Sequence, residues 1–129
     1  MPVKQAVNTQ SSHGETNYSK IMEVKAKSYT LTKNNGWLGQ VVITTDGFFA
    51  AVTDYGSFSY TWRCFGEMDF RAFLSTLDAG YFSGKMVTGM AYIVYNNRVK
   101  EAAKRFTAEV LPVLQEVLKQ DLKENPKFY

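Results

Sequence analysis

Two periods divide the chain. Between residues 40 and 63 apolar side chains recur at every second position, and from Asp69 onward they recur at intervals of three and four. A period of two places neighbours on opposite faces of a strand, whereas a period near 3.6 gathers them along one side of a helix. Gln40 to Thr45 and Phe48 to Thr53 are rich in β-branched and aromatic residues. Between them stands Asp46-Gly47, a dipeptide suited to a two-residue type I′ hairpin turn. Asp54-Tyr55-Gly56 supplies the next turn, with Gly56 free to take a positive φ. Ser57 to Arg63 then alternates sharply: Phe58, Tyr60 and Trp62 fall on one face, and Ser57, Ser59, Thr61 and Arg63 on the other. Residues 20–33 alternate less cleanly, with Met22, Val24 and Ala26 opposed to Glu23, Lys25 and Lys27. That reads as an edge strand whose lysines discourage edge-to-edge pairing. Asn34-Asn35-Gly36 ends it with a turn.

The helical part begins at Asp69, a candidate N-cap followed by Phe70, Phe73, Leu74 and Leu77. Asp78 is placed to cap a second short helix carrying Tyr81 and Phe82, weakened by Gly80, Gly84 and Gly89. Residues 86–95 fit either a buried helix or a strand, with helix favoured. From Asn97 one apolar stripe runs through Val99, Ala103, Phe106, Val110, Leu114 and Val117, widened by Leu118 and Leu122. Glu101 and Arg105 form an i,i+4 pair in the favourable order. Pro112 predicts a kink or a restart inside this helix, and Pro126 its end. The expected fold is α+β: an antiparallel β-meander of three to four strands packed against a long C-terminal helix and one or two short helices. Residues 1–19 are polar and aperiodic, so they read as a flexible arm preceding a single domain over 20–129.

Composition changes the picture little. Apolar residues make up 45% of the chain, which demands a packed core and argues against general disorder. The net charge of +3 is too small to imply nucleic-acid binding by itself. No apolar run approaches the ~20 residues of a membrane-spanning helix. The chain does not open on the apolar core of a signal peptide. The one cysteine, Cys64, cannot form an internal disulfide. The expected location is the cytoplasm of a host cell.

The candidate chemistry is sparse. One histidine, His13, and one cysteine, Cys64, offer no metal-ligand spacing, so no metal and no cofactor are expected. Cys64 has no neighbouring base to activate it as a nucleophile. Asp46 and Asp54 sit in successive turns, a strand's length apart (about 20 Å), too far for shared acid–base work. No catalytic residue is assigned and the chain reads as a non-enzyme. Exposed aromatic residues near turns are favoured anchors of protein interfaces, so the candidates are the turn-located Trp37, Asp54 and Tyr55, with exposed Arg63 as a further candidate. Lys100, Lys104 and Arg105 are the candidates for the nucleic-acid alternative. A small enzyme of unassigned class is the second alternative.

The run VVITTDGFFAAVTDYGSFSYTW, Val41 to Trp62, followed by DFRAFLSTLDAGYFSGK, Asp69 to Lys85, resembles a family of small uncharacterised proteins of tailed phages and prophages. The order of D-G, D-Y-G, W and D-F-R-x-F-L carries the resemblance. The family brings no established activity and therefore no residue roles. The resemblance implies a phage accessory protein that binds and modulates a host protein or protein complex. Counter-defence, such as inhibition of a CRISPR effector, is its most specific form.

Overall fold

A computed structural model describes residues 23–90 and 96–128. The expectations for residues 1–19 with His13, for Met22 and for residues 91–95 lie outside that span. Four strands follow one another, β1 (Ala26–Lys33), β2 (Gly36–Thr44), β3 (Phe48–Thr53) and β4 (Gly56–Thr61). Every neighbouring pair is antiparallel and the sheet order is β1-β2-β3-β4, a plain meander. Helices α1 (Phe70–Ser75), α2 (Ala79–Thr88) and α3 (Asn97–Glu124) come after the sheet. The α+β architecture read from the two periods is the one observed.

The turns differ from expectation in an instructive way. The type I′ geometry, with both central residues at positive φ, belongs to Asn34 (53°) and Asn35 (66°). Asp46-Gly47 does not form one. Gly47 alone is left-handed there (φ 101°), and its N–H donates to the Thr44 carbonyl to close a three-residue connection. A Cβ on Gly47 would lie 2.1 Å from the Trp62 carbonyl oxygen, so the end of β4 packs directly over this turn.

One face of the sheet is covered. Its rows are Tyr29–Val41–Ala51–Phe58 and Lys27–Ile43–Phe49–Tyr60 across β1 to β4. Val41, Ile43 and Phe49 are fully buried beneath Phe70 and Leu74 of α1, Phe82 and Met86 of α2, and Phe106, Val110, Leu114 and Leu118 of α3. Each such side chain contributes roughly 1.5–3 kcal/mol by leaving water. The aromatic residues mesh: Phe58 lies 4.4 Å from Phe106, and Phe82 meets Phe49 edge-on at 5.5 Å. Trp62 is buried among Phe70, Phe73 and Phe82, and its indole N–H donates to the Tyr81 hydroxyl. The Phe58/Tyr60/Trp62 face is therefore core, not a platform for stacked bases.

Asp69, Asp78 and Asn96 cap the three helices, each accepting from a backbone N–H one turn in. Helix α3 runs its full 28 residues through Pro112, which is exposed, so the carbonyl that loses its intrahelical partner faces water. Glu101 pairs at 3.7 Å with Lys104, not with Arg105. At Gly89, the C-cap of α2, an added Cβ would come within 1.9 Å of the Ser59 carbonyl oxygen, so the helix end abuts the β4 backbone.

The edge strand is phased opposite to its sequence reading. Val24 and Ala26 are exposed, while Lys27, Tyr29 and Leu31 face the helices. Val24 and Lys25 precede β1, and tertiary packing sets the strand's own phase. Among the described residues no helix is long and apolar enough to cross a membrane.

Candidate interaction surface

No described element covers the other face of the sheet. Its rows are Gln40–Val52–Ser57 and Val42–Ala50–Ser59. Val52 is 58% exposed and Phe48 38%, on a face that in a half-solvated sheet is usually polar. Trp37, 47% exposed, stands at the end of this face. With Gln40, Val42, Ala50, Val52, Ser57 and Ser59 it lines a shallow hollow of about 530 Å³.

A β-bulge aims Trp37 there. The register steps from Leu31↔Gly39 to Thr32↔Trp37, which leaves Leu38 as an extra residue on β2. Counting back from Val42 by twos through Gln40 would put Leu38 on the open face and Trp37 in the core. The extra residue reverses both: Leu38 is 4% exposed and Trp37 stands out. Gly39 is needed beside the bulge, since a Cβ there would lie 2.4 Å from Thr53 Cγ2 and 2.9 Å from the Val52 carbonyl oxygen.

The four sequence-predicted anchors do not form one patch. Trp37 and the Asp54-Tyr55 turn share one end of the sheet, because the β1–β2 and β3–β4 turns lie on the same side. Asp54 is exposed, whereas Tyr55 is half-buried and packs on the core. Arg63 is exposed but follows β4 at the opposite end, about 20 Å away along the strand. Lys100, Lys104 and Arg105 are all exposed on α3, away from the open sheet face. Lys100 and Lys104 lie one turn apart on one side of the helix, and Arg105 is rotated away from them.

Sequence reasoning missed a buried charged cluster. Arg71 is fully buried. It grips Asp69 with Nε (3.0 Å) and Nη2 (2.8 Å), reaches Asp121 Oδ2 with Nη1 (3.0 Å), and touches the Pro126 carbonyl with Nη2 (3.4 Å). Asp121 also accepts from Lys27 (2.8 Å), the Tyr29 hydroxyl (2.6 Å) and Asn125 (2.8 Å). The Phe128 ring closes over the cluster, 5.2 Å from the Arg71 guanidinium carbon. Burial pushes the Asp121 carboxyl up, but hydrogen bonds from Lys27, Tyr29, Asn125 and Arg71 outweigh it and hold it well below the usual carboxylate range. Asp69 is lowered as well, burial being overcome by its bonds from Arg71. Burial and the bond to Asp121 raise Tyr29.

Strongly shifted groups are a common mark of catalytic sites, yet the geometry here is that of a staple. Arg71 spends four of its five N–H groups inside the protein, and Asp121 is saturated with donors. The cluster ties β1, α1, the end of α3 and the C-terminal segment together. Cys64 is exposed. Among the described residues no group of three or more His, Cys, Asp or Glu side chains is placed to hold a metal ion.

Residues 19–109 match the phage family Phage_phiTE_072. The chain belongs to that phage family. The matched span is wider than the Val41–Lys85 pattern and takes in the whole sheet, α1, α2 and the first part of α3. Trp37, Asp54, Tyr55, Arg63 and the Asp69–Arg71 pair lie within the family span, while Asp121 and Phe128 lie beyond it. No curated protein and no solved structure matches the chain.

Proposed function

We propose that this phage protein is a non-enzymatic accessory factor that binds and modulates a host protein or protein complex through the open face of its sheet. One observation carries the reading: a half-exposed tryptophan, turned outward by a bulge, stands over an apolar strand face that no described helix covers. Exposed apolar surface of this kind is unfavourable in water unless a partner uses it, and tryptophan is a favoured anchor at such interfaces. The exposed Asp54 turn at the same end of the sheet supplies polar rim. Counter-defence, with a CRISPR effector as one target, is the specific form suggested by the phage context.

The test is affinity capture from host cells with the wild-type protein and with Trp37→Ala and Val52→Asp variants, followed by reconstitution with the purified partner. A stable host protein should be retained by the wild type and lost by both variants. Recovery of no partner from infected and uninfected cells, or capture indifferent to both substitutions, would overturn the proposal. The nucleic-acid alternative uses Lys100, Lys104 and Arg105. It predicts salt-dependent binding of DNA or RNA that disappears when the three are neutralised.

A further inference from the structure

The four described strands contain two charged residues, Lys27 and Lys33, and both are turned to the helices, where they pair with Asp121 and Glu109. On the opposite face, from Ser28 on β1 to Thr61 on β4, every strand side chain is Ser, Thr, Gln, Ala, Val, Phe or Trp. Surfaces of soluble domains are typically about a quarter to a third charged. A whole sheet face without one Asp, Glu, Lys or Arg therefore limits what can cover it. Nucleic acid needs cations to meet its phosphates. A charged protein patch would lose its water here and meet no counter-charge. The occupant that fits is another uncharged face.

This face is also complementary to itself. Ala50, Ser57 and Ser59 are small and leave the hollow of about 530 Å³, and Trp37 is the largest side chain standing on the same face. Sheets pack face to face about 10 Å apart, which leaves room for an indole only where the opposing side chains are small. A knob and a hollow on one surface meet the condition of a two-fold interface, in which residue i contacts j and j contacts i. The strands are six to nine residues long. Four of them side by side make a face of about 19 by 25 Å, so two copies would bury on the order of 1,000 Å² in all, the lower bound for a specific interface.

We propose that the free protein forms a two-fold dimer by packing this face on the same face of a second copy, each Trp37 seated in the other's hollow. An interface of that size is a weak one, with an expected Kd of about 1–100 μM. The inference rests on the host-binding reading in taking this face as the interaction surface. It adds regulation of that surface: a host partner must displace the second copy.

The experiment is sedimentation equilibrium of the full chain from about 1 μM to about 1 mM, with amide-resonance spectra at the upper concentrations. The mass should pass from monomer to dimer, and the concentration-dependent shifts should fall on Gln40, Val42, Ala50, Val52, Ser57 and Ser59. Kd should change less than about threefold between about 50 and about 500 mM salt, because no ion pair crosses the interface. Val52→Asp and Gln40→Lys each set like charges into the shared face and should weaken association at least about tenfold. Both positions are exposed, so both variants should fold. Trp37→Ala should weaken it at least about tenfold. The proposal fails if the chain stays monomeric at about 1 mM, if the shifts fall outside this face, if Kd moves about tenfold with salt, or if the variants dimerise unchanged. A monomer whose Trp37 is shielded from an aqueous quencher would assign the face to residues 1–22 of the same chain, and that too overturns it. A monomeric result leaves host capture unaffected, whereas a dimer that captures no host protein removes the host-binding reading alone.

Discussion

Replacing Asp121 by asparagine removes one charge from the buried cluster with almost no change in shape. Its carboxylate accepts from Arg71, Lys27, Tyr29 and Asn125, and it is 14% exposed. Breaking one partner of a buried ion pair commonly destabilises by about 3–5 kcal/mol, because a charge is left under-compensated. Arg71 retains its two bonds to Asp69, so the lower end, about 3 kcal/mol, is expected. For a domain of this size that lowers Tm by roughly 12 °C. The check is urea and thermal unfolding of the wild type, Asp121→Asn, Arg71→Met and the double variant. The cycle should return an interaction of roughly 2–3 kcal/mol between the two sites. The pH dependence gives a second handle. Both Asp121 and Asp69 have folded-state values below the unfolded one. Their stabilisation is therefore present above the unfolded carboxyl value, near pH 4, and is lost as pH falls below it. The advantage of the wild type over Asp121→Asn should shrink below about pH 4. A penalty under about 1 kcal/mol at neutral pH, or one unchanged down to pH 3, would refute the account of the cluster as a staple.

Other perturbations separate fold from surface. Gly39→Ala drives a methyl against Thr53 and the Val52 carbonyl and should destabilise by about 1–3 kcal/mol in urea unfolding. Trp37→Ala should change stability by less than about 1 kcal/mol while weakening capture of the proposed host partner at least about tenfold. Pro112→Ala restores a backbone donor at an exposed helical position and should stabilise by up to about 3 kcal/mol, seen as a higher Tm. Tyr29 is raised above its unfolded value, so its contribution is present below about pH 10 and lost as pH rises past it. Tyr29→Phe should therefore flatten the alkaline limb of the stability–pH curve.

The meander was legible because its signals are local: two-residue alternation inside strands, and Asn, Asp and Gly at the turns. The helix caps were legible for the same reason, Asp69 and Asp78 standing immediately before apolar runs. What escaped was set by contacts distant in sequence. The bulge that turns Trp37 outward depends on how β1 pairs with β2, and nothing in Trp37-Leu38-Gly39 announces it. The phase of β1 was misread because Lys27 looks like a solvent-facing charge until Asp121, 94 positions away, is placed beside it. Arg71 did leave a trace. A cation in the first turn of a helix opposes the helix dipole, and its place between Phe70 and Leu74, both buried, makes a fully solvated side chain hard to accommodate. Its partner Asp121 is 50 positions further on and could not be assigned from spacing.

The staple and the family span bear on each other. The match to Phage_phiTE_072 stops at residue 109, inside α3. The fold does not stop there: Val110, Leu111, Leu114 and Leu118 are buried, and Asp121 and Phe128 close the cluster over Arg71. Residues past the matched span thus complete a site whose other half, Lys27, Tyr29, Asp69 and Arg71, lies within it. A truncation after residue 109 would leave a buried guanidinium held by Asp69 alone and strip the covered sheet face of several apolar side chains. Such a chain should fail to fold cooperatively by calorimetry. The charged cluster is therefore committed to holding the C-terminal half of α3 against β1. Trp37 and Val52, on the sheet face that no described element covers, are not drawn into it and still face water.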